Sequence, residues 1–219
     1  MKLLIENWRK YLKEENGSSY RVYHGSENAV FPEFKLQTPD KRTTDFGWFG
    51  EGLYFDTSMR QAISYAGGSW EADENVEIIE NAVKGDKANI IPESGAVRII
   101  NKEEKPNAGV YVLDTEVKNP YEWKGPGIPA IVQNPYLNRM PEDIADTVAQ
   151  KMEYSSWEAL VEAMESHTST DKSRWEEFLA LTTSNTIKRL GHDGVIMTRS
   201  NAGAEIVLFD EENVRSALK

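Results

Sequence analysis

The chain has 219 residues, no cysteine and a formal net charge of -11 at pH 7. Without thiols there is no disulfide staple and no thiolate chemistry, and a chain of this length buries roughly 70% of its unfolded surface, enough for one domain with insertions. The acidic balance disfavours nucleic acid as a partner, because phosphate contacts need clustered Lys and Arg, and no apolar run is long enough to predict a membrane span.

Residues 1–16, which open MKLLIENWRKYLKEE, put Leu4, Trp8, Tyr11 and Leu12 at helical spacing. They predict an amphipathic terminal helix, not a signal peptide. After the polar break ENGSS, YRVYHG (20–25) predicts a strand, and residues 27–46 read as loop holding Phe31 and Phe34. GLYF (52–55) is a second short strand leaving the glycine-rich GWFGEG. In DTSMRQAISYA, Asp56, Thr57 and Ser58 are cap candidates for a helix whose Met59, Ala62, Ile63 and Ala66 form one stripe. Residues 67–108 are rich in Gly, Asp, Glu, Lys and Asn, hold IIENAV (78–83) and AVRII (96–100) as short strand or helix fragments, and read as an insertion of poorly defined structure.

GVYVLDTEVKNPYEW (109–123) predicts a strand ended by Asn119-Pro120, since proline cannot continue a ladder. Between Pro141 and Leu190, PEDIADTVAQKM, SWEALVEAMESH and SRWEEFLALTTSNTIKRL each repeat apolar residues every three to four positions. Pro141 suits a first helical position and Gly191 a helix stop. DGVIMT and AEIVLF are two further strands joined by RSNAGA. The sum is α+β: a mostly antiparallel β core interrupted by helices, with residues 17–219 as one domain and insertions at about 67–108 and 125–190.

Taken one at a time, His24, Tyr54 and Tyr65 read as ordinary structural residues, whereas Glu205 at the start of an apolar strand must be solvated, paired or functional. His24, His167 and His192 are isolated, so no metal site is predicted. GWFGEG lacks the Gly-Lys-Ser/Thr of a phosphate loop, and no Gly-x-Ser-x-Gly elbow is present. Trp157 and Trp175 read as core anchors.

In combination, YHG at 23–25, GLYF at 52–55 and a tyrosine eleven residues after Tyr54 resemble the ADP-ribosyltransferase superfamily, in the histidine–tyrosine–glutamate branch that includes diphtheria toxin and the poly(ADP-ribose) polymerases. The C-terminal GHDGVIMTRSNAGAEIVLFDEENVRSA is similar to the end of small ADP-ribosyltransferase domains of phage polyvalent proteins. The resemblance covers residues 20–66, 109–123 and 190–217. It implies a split antiparallel β core and NAD as ADP-ribose donor, with no metal. It also implies Tyr54 and Tyr65 on the two faces of the nicotinamide ring, where stacking contributes about 0.5–1.5 kcal/mol per pair beyond area burial.

By the same resemblance His24 holds a ribose hydroxyl, and the backbone of Gly25 holds the carboxamide, where a side chain would obstruct the approach. Ser26, Phe55 and Ala62 fall in the same NAD-binding segments. Glu205 corresponds to the catalytic glutamate, acting with His24 and Tyr54 to steady the oxocarbenium character that develops on the ribose. Ala62 stands where many polymerase-type members carry a carboxamide-binding serine. Gly203 stands where the arginine-specific branch carries Glu or Gln, which disfavours arginine as acceptor. The expected function is single ADP-ribose transfer to a macromolecule, a host protein in the host cytoplasm, by a monomer with no membrane partner. The alternatives are an NAD glycohydrolase and a non-catalytic, phage-associated binding module.

Overall fold

Short strands of alternating apolar residues and helices with one apolar stripe assemble into a sheet with helices packed on it. The computed structural model describes residues 18–30, 52–101, 103–123, 128–129, 139–166, 169–199, 203–210, 212 and 214–218. The predicted helix over 1–16, the loop from 31 onward, and Gly47 and Gly50 of the glycine-rich stretch lie outside them.

Strands β1 (Ser18–Ser26), β2 (Leu53–Asp56), β3 (Val97–Arg98), β4 (Gly109–Val117) and β5 (Pro120–Trp123) precede a two-stranded ribbon of β6 (Ile128–Pro129) and β7 (Arg139–Met140). Strands β8 (Gly194–Arg199), β9 (Gly203–Leu208) and β10 (Val214–Ser216) follow. The main sheet has eight strands in the order β10-β4-β1-β2-β9-β8-β5, with β3 paired to β4. Its pairings are antiparallel except β5 with β8. A parallel neighbour requires a long crossover, and helices α3 (Glu142–Lys151), α4 (Trp157–Glu165) and α5 (Ser169–Arg189) lie within it. Pro120, with no N–H to give, is the first residue of β5. The Asp193 carboxylate accepts from the N–H groups of Lys118 (2.7 Å) and Asn119 (3.0 Å), tying that strand change to the start of β8.

Helix boundaries follow the predicted pattern closely. α1 (Met59–Tyr65) is capped by Ser58, whose Oγ accepts from Gln61 N–H, and buries Ala62 and Ile63. Pro141 is the capping residue of α3 and not its first helical one. Gly191, at φ +90, follows the end of α5. The described part of 67–108 departs from the expectation of poorly defined structure. It contains α2 (Asp73–Val83), with Asp73 and Glu74 in the first turn, where acidic groups favour the helix N-terminus, and Asn75, Ile79 and Ala82 buried. The Asn75 amide donates to Ile100 C=O and accepts from Ile100 N–H, both at 2.8 Å, fastening α2 to the segment after β3. The fragments IIENAV and AVRII lie in α2 and at β3, and the polar residues that suggested poorly defined structure are the solvent side of an amphipathic helix.

Strand alternation divides the core by face. One face of the sheet buries Val22, Phe55, Tyr111, Leu113, Ile206 and Leu208. The other face carries two clusters, one of α1 and α2 residues over Val110 and Val112, the other of α3, α4 and α5 residues over Val195, Met197 and Val207. Trp157 is fully buried in the second and Trp175 packs against it. The boundary between these two clusters falls on β1 and β2.

Candidate active site

β1 and β2 are neighbours in the sheet, yet their register consists of one pair, Tyr23 with Asp56. Where the next positions of an antiparallel ladder would pair, the half-buried imidazole of His24 intervenes. Its Nδ1 lies 2.9 Å from the carbonyl oxygen of Tyr54. A carbonyl only accepts, so Nδ1 carries the proton and Nε2 is the acceptor nitrogen of the neutral ring. Burial pushes the His24 pKa below the ordinary imidazole value, and the bond to Tyr54 opposes that shift only in part. The ring lies 6.2 Å edge-on from Phe55 and 6.1 Å from Tyr111, centroid to centroid. A side chain thus does the work of a backbone amide, and the two strands are held apart beside it.

Gly25 follows at the same split. A Cβ on Gly25 would stand 1.8 Å from the carbonyl oxygen of Ala62 and 3.0 Å from the nitrogen of Ala66. The backbone of α1 lies against this position and leaves no room for a side chain. Ala62 is 1% exposed, so its side chain is core packing. Phe55, 2% exposed, belongs to the core of the opposite face. Ser26 Oγ accepts from Asn28 N–H at 3.2 Å in the exposed turn after β1. Gly52 is closed in by β9: its Cβ would meet Val207 Cγ1 at 2.5 Å.

Tyr54 and Glu205 share one face of the sheet. β2 and β9 pair from Leu53↔Leu208 through Tyr54↔Val207 to Asp56↔Glu205, so Tyr54, Asp56, Val207 and Glu205 point the same way. Tyr54 is half-buried against the α3–α5 cluster. Tyr65, at the end of α1 on that same face, is 54% exposed. Glu205 is 6% exposed and Asp56 4%, so two carboxylates sit side by side across adjacent strands. By alternation His24 falls on the other side of the pleat and meets this face through the split. Tyr54 carries both relationships: its ring belongs to the Glu205 face and its carbonyl binds His24.

Next to Glu205, Thr57 N–H donates to Ala204 C=O at 2.9 Å, and Ala204 N–H donates to Thr57 Oγ1 at 2.7 Å. The residue before, Gly203, has φ +86, and a Cβ there would lie 2.5 Å from Thr57 Oγ1. Asp56 and Thr57 are the participants that sequence reasoning missed. Both appear there as cap candidates, whereas Ser58 alone caps α1 and Asp56 Oδ1 accepts from Ser58 N–H at 2.6 Å. Only the pairing of β2 with β9 reveals their proximity to Glu205.

Among the described residues no group of three or more His, Cys, Asp or Glu side chains gathers as metal ligands, and no helix is long and apolar enough to cross a membrane. Compared with known families, the chain matches the model of the ADP-ribosyltransferases in polyvalent proteins over residues 14–219. A solved structure described as the crystal structure of an anti-CRISPR protein is similar at 15% identity and TM-score 0.38, over 92% of this chain and 98% of that one. Among curated proteins there is no match.

Proposed function

Since the chain belongs to the family of ADP-ribosyltransferases found in polyvalent proteins, we propose that it takes NAD as donor and transfers a single ADP-ribose to a macromolecular acceptor, a protein of a phage host, releasing nicotinamide. The observation that supports this reading best is that Glu205 and Tyr54 share one sheet face, with His24 bonded to the Tyr54 carbonyl where β1 and β2 stop pairing.

In this reading the nicotinamide ring lies between Tyr54 and Tyr65, with its carboxamide toward the backbone of Gly25. His24, oriented by its bond to Tyr54, turns Nε2 toward a ribose hydroxyl. The bond between ribose C1′ and the pyridinium nitrogen breaks, and its electron pair leaves with nicotinamide. Positive charge grows on the ribose, and the Glu205 carboxylate, holding the 2′-hydroxyl, stabilises that charge more in the transition state than in the ground state. The acceptor nucleophile then bonds to C1′ from the opposite face and gives up its proton. Gly203 offers no side chain near this point, so acceptor recognition falls to other groups.

The test is to incubate the protein with NAD and a bacterial lysate, following nicotinamide release and ADP-ribose adducts by mass spectrometry, beside Glu205→Gln. Loss of the carboxylate lowers nicotinamide release by about 10²–10³. Release that runs at full rate with no acceptor and yields free ADP-ribose would identify water as the acceptor. Release of none by the folded wild-type chain would overturn the reading.

A further inference from the structure

We infer that Thr57 is a positioning residue for Glu205, and that the threonine at 57 and the glycine at 203 are one structural requirement; this rests on the role of Glu205 proposed above. The β2–β9 ladder ends at Asp56↔Glu205, where the chain turns toward α1. A residue in the last pair of a ladder sits where strand ends open most readily. Here the ladder is extended by one residue acting through both its backbone and its side chain. Thr57 N–H holds the Ala204 carbonyl, and Thr57 Oγ1 takes the Ala204 N–H. The Ala204 carbonyl belongs to the same rigid peptide plane as the Glu205 nitrogen. Fixing that plane limits how far the Glu205 side chain swings.

Two further features make the arrangement specific. The hydroxyl occupies the space a side chain on residue 203 would need, and the φ of +86 at Gly203 is itself one that side chains rarely adopt. Thr57 is in turn fixed by its neighbours, since Asp56 accepts from Ser58 N–H and Ser58 caps α1. As a β-branched residue it has few χ1 choices, so its hydroxyl is aimed before any ligand arrives. Because Ser58 supplies the cap, the Thr57 hydroxyl has no part in starting the helix.

Thr57→Val keeps the shape and removes the acceptor, whereas Thr57→Ser keeps the acceptor. Thr57→Val is expected to lower kcat for nicotinamide release about tenfold or more, toward the ~10²-fold that a 1 Å misplacement costs. The KM for NAD stays within about twofold, as for an interaction made chiefly in the transition state. Thr57→Ser restores most of the rate, and hydrogen exchange at the Ala204 amide speeds up in Thr57→Val but not in Thr57→Ser. Should Thr57→Val not fold, Thr57→Ala is measured in the same way. A wild-type kcat in a folded Thr57→Val or Thr57→Ala protein, with Glu205→Gln inactive, overturns the inference and leaves the proposed function standing. If wild type releases no nicotinamide, the proposed function falls, and unchanged Ala204 exchange in Thr57→Val overturns the positioning role on its own.

Discussion

A Cβ placed on Gly25 would stand 1.8 Å from the carbonyl oxygen of Ala62, so β1 and α1 touch backbone to backbone at the split in the sheet. The contact ties the position of the helix that carries Tyr65 to the strand that carries His24. A methyl group added there cannot be absorbed by turning a side chain, because the obstacle is the helix backbone. Gly25→Ala is therefore expected to destabilise the fold by about 1–3 kcal/mol, the usual cost of overpacking. It also displaces α1 and weakens NAD binding. Denaturant unfolding and calorimetric titration with NAD check both effects, and a Gly25→Ala protein as stable as wild type would show that α1 gives way freely.

Tyr54 and Tyr65 are expected to separate binding from stability. Tyr65 is 54% exposed, so Tyr65→Ala changes unfolding free energy by no more than ~0.5 kcal/mol, as for most surface positions. Tyr54 packs against the α3–α5 cluster, and its truncation costs about 2 kcal/mol, below the range for fully buried aromatics. In the proposed sandwich each variant is expected to lose stacking worth about 0.5–1.5 kcal/mol and to raise the Kd for NAD correspondingly. Unaltered NAD binding by Tyr65→Ala in calorimetry would remove that ring from the proposed sandwich.

His24 makes the fold sensitive to acid. Its pKa lies below the ordinary value, so between about pH 6.5, where the unfolded chain titrates, and the lower folded value, the unfolded state binds more protons. The stabilisation from the neutral ring is complete above pH 6.5 and is lost as pH falls toward the folded pKa. Replacing His24 with glutamine is expected to flatten stability against pH in that window. NMR titration of the His24 ring is expected to give a midpoint below 6.5, and a midpoint at or above it would contradict the direction of the shift.

Much of the fold was legible in one dimension because it rests on local patterns. The alternation in YRVYHG and AEIVLF corresponds to β1 and β9, and three-to-four spacing corresponds to α3, α4 and α5 within a few residues. The family resemblance likewise rested on short strings, YHG, GLYF and AEIVLF, whose elements the structure sets in adjacent or near-adjacent strands. Of α2 only IIENAV stood out, as a strand or helix fragment, because eleven residues with only a few buried side chains look irregular when polar residues are counted without regard to helical phase.

Residue types, their order and their phase along each element were determined by the sequence alone: a tyrosine and an acid on short strands, a histidine beside a glycine, a helix with one apolar stripe. Which of them meet was decided only in three dimensions, because pairing between strands separated by about 150 residues depends on the whole sheet closing around its core. That closure made Thr57 the neighbour of Ala204, moved Phe55 into the far core, turned Gly25 into a helix-packing residue and set Asp56 beside Glu205.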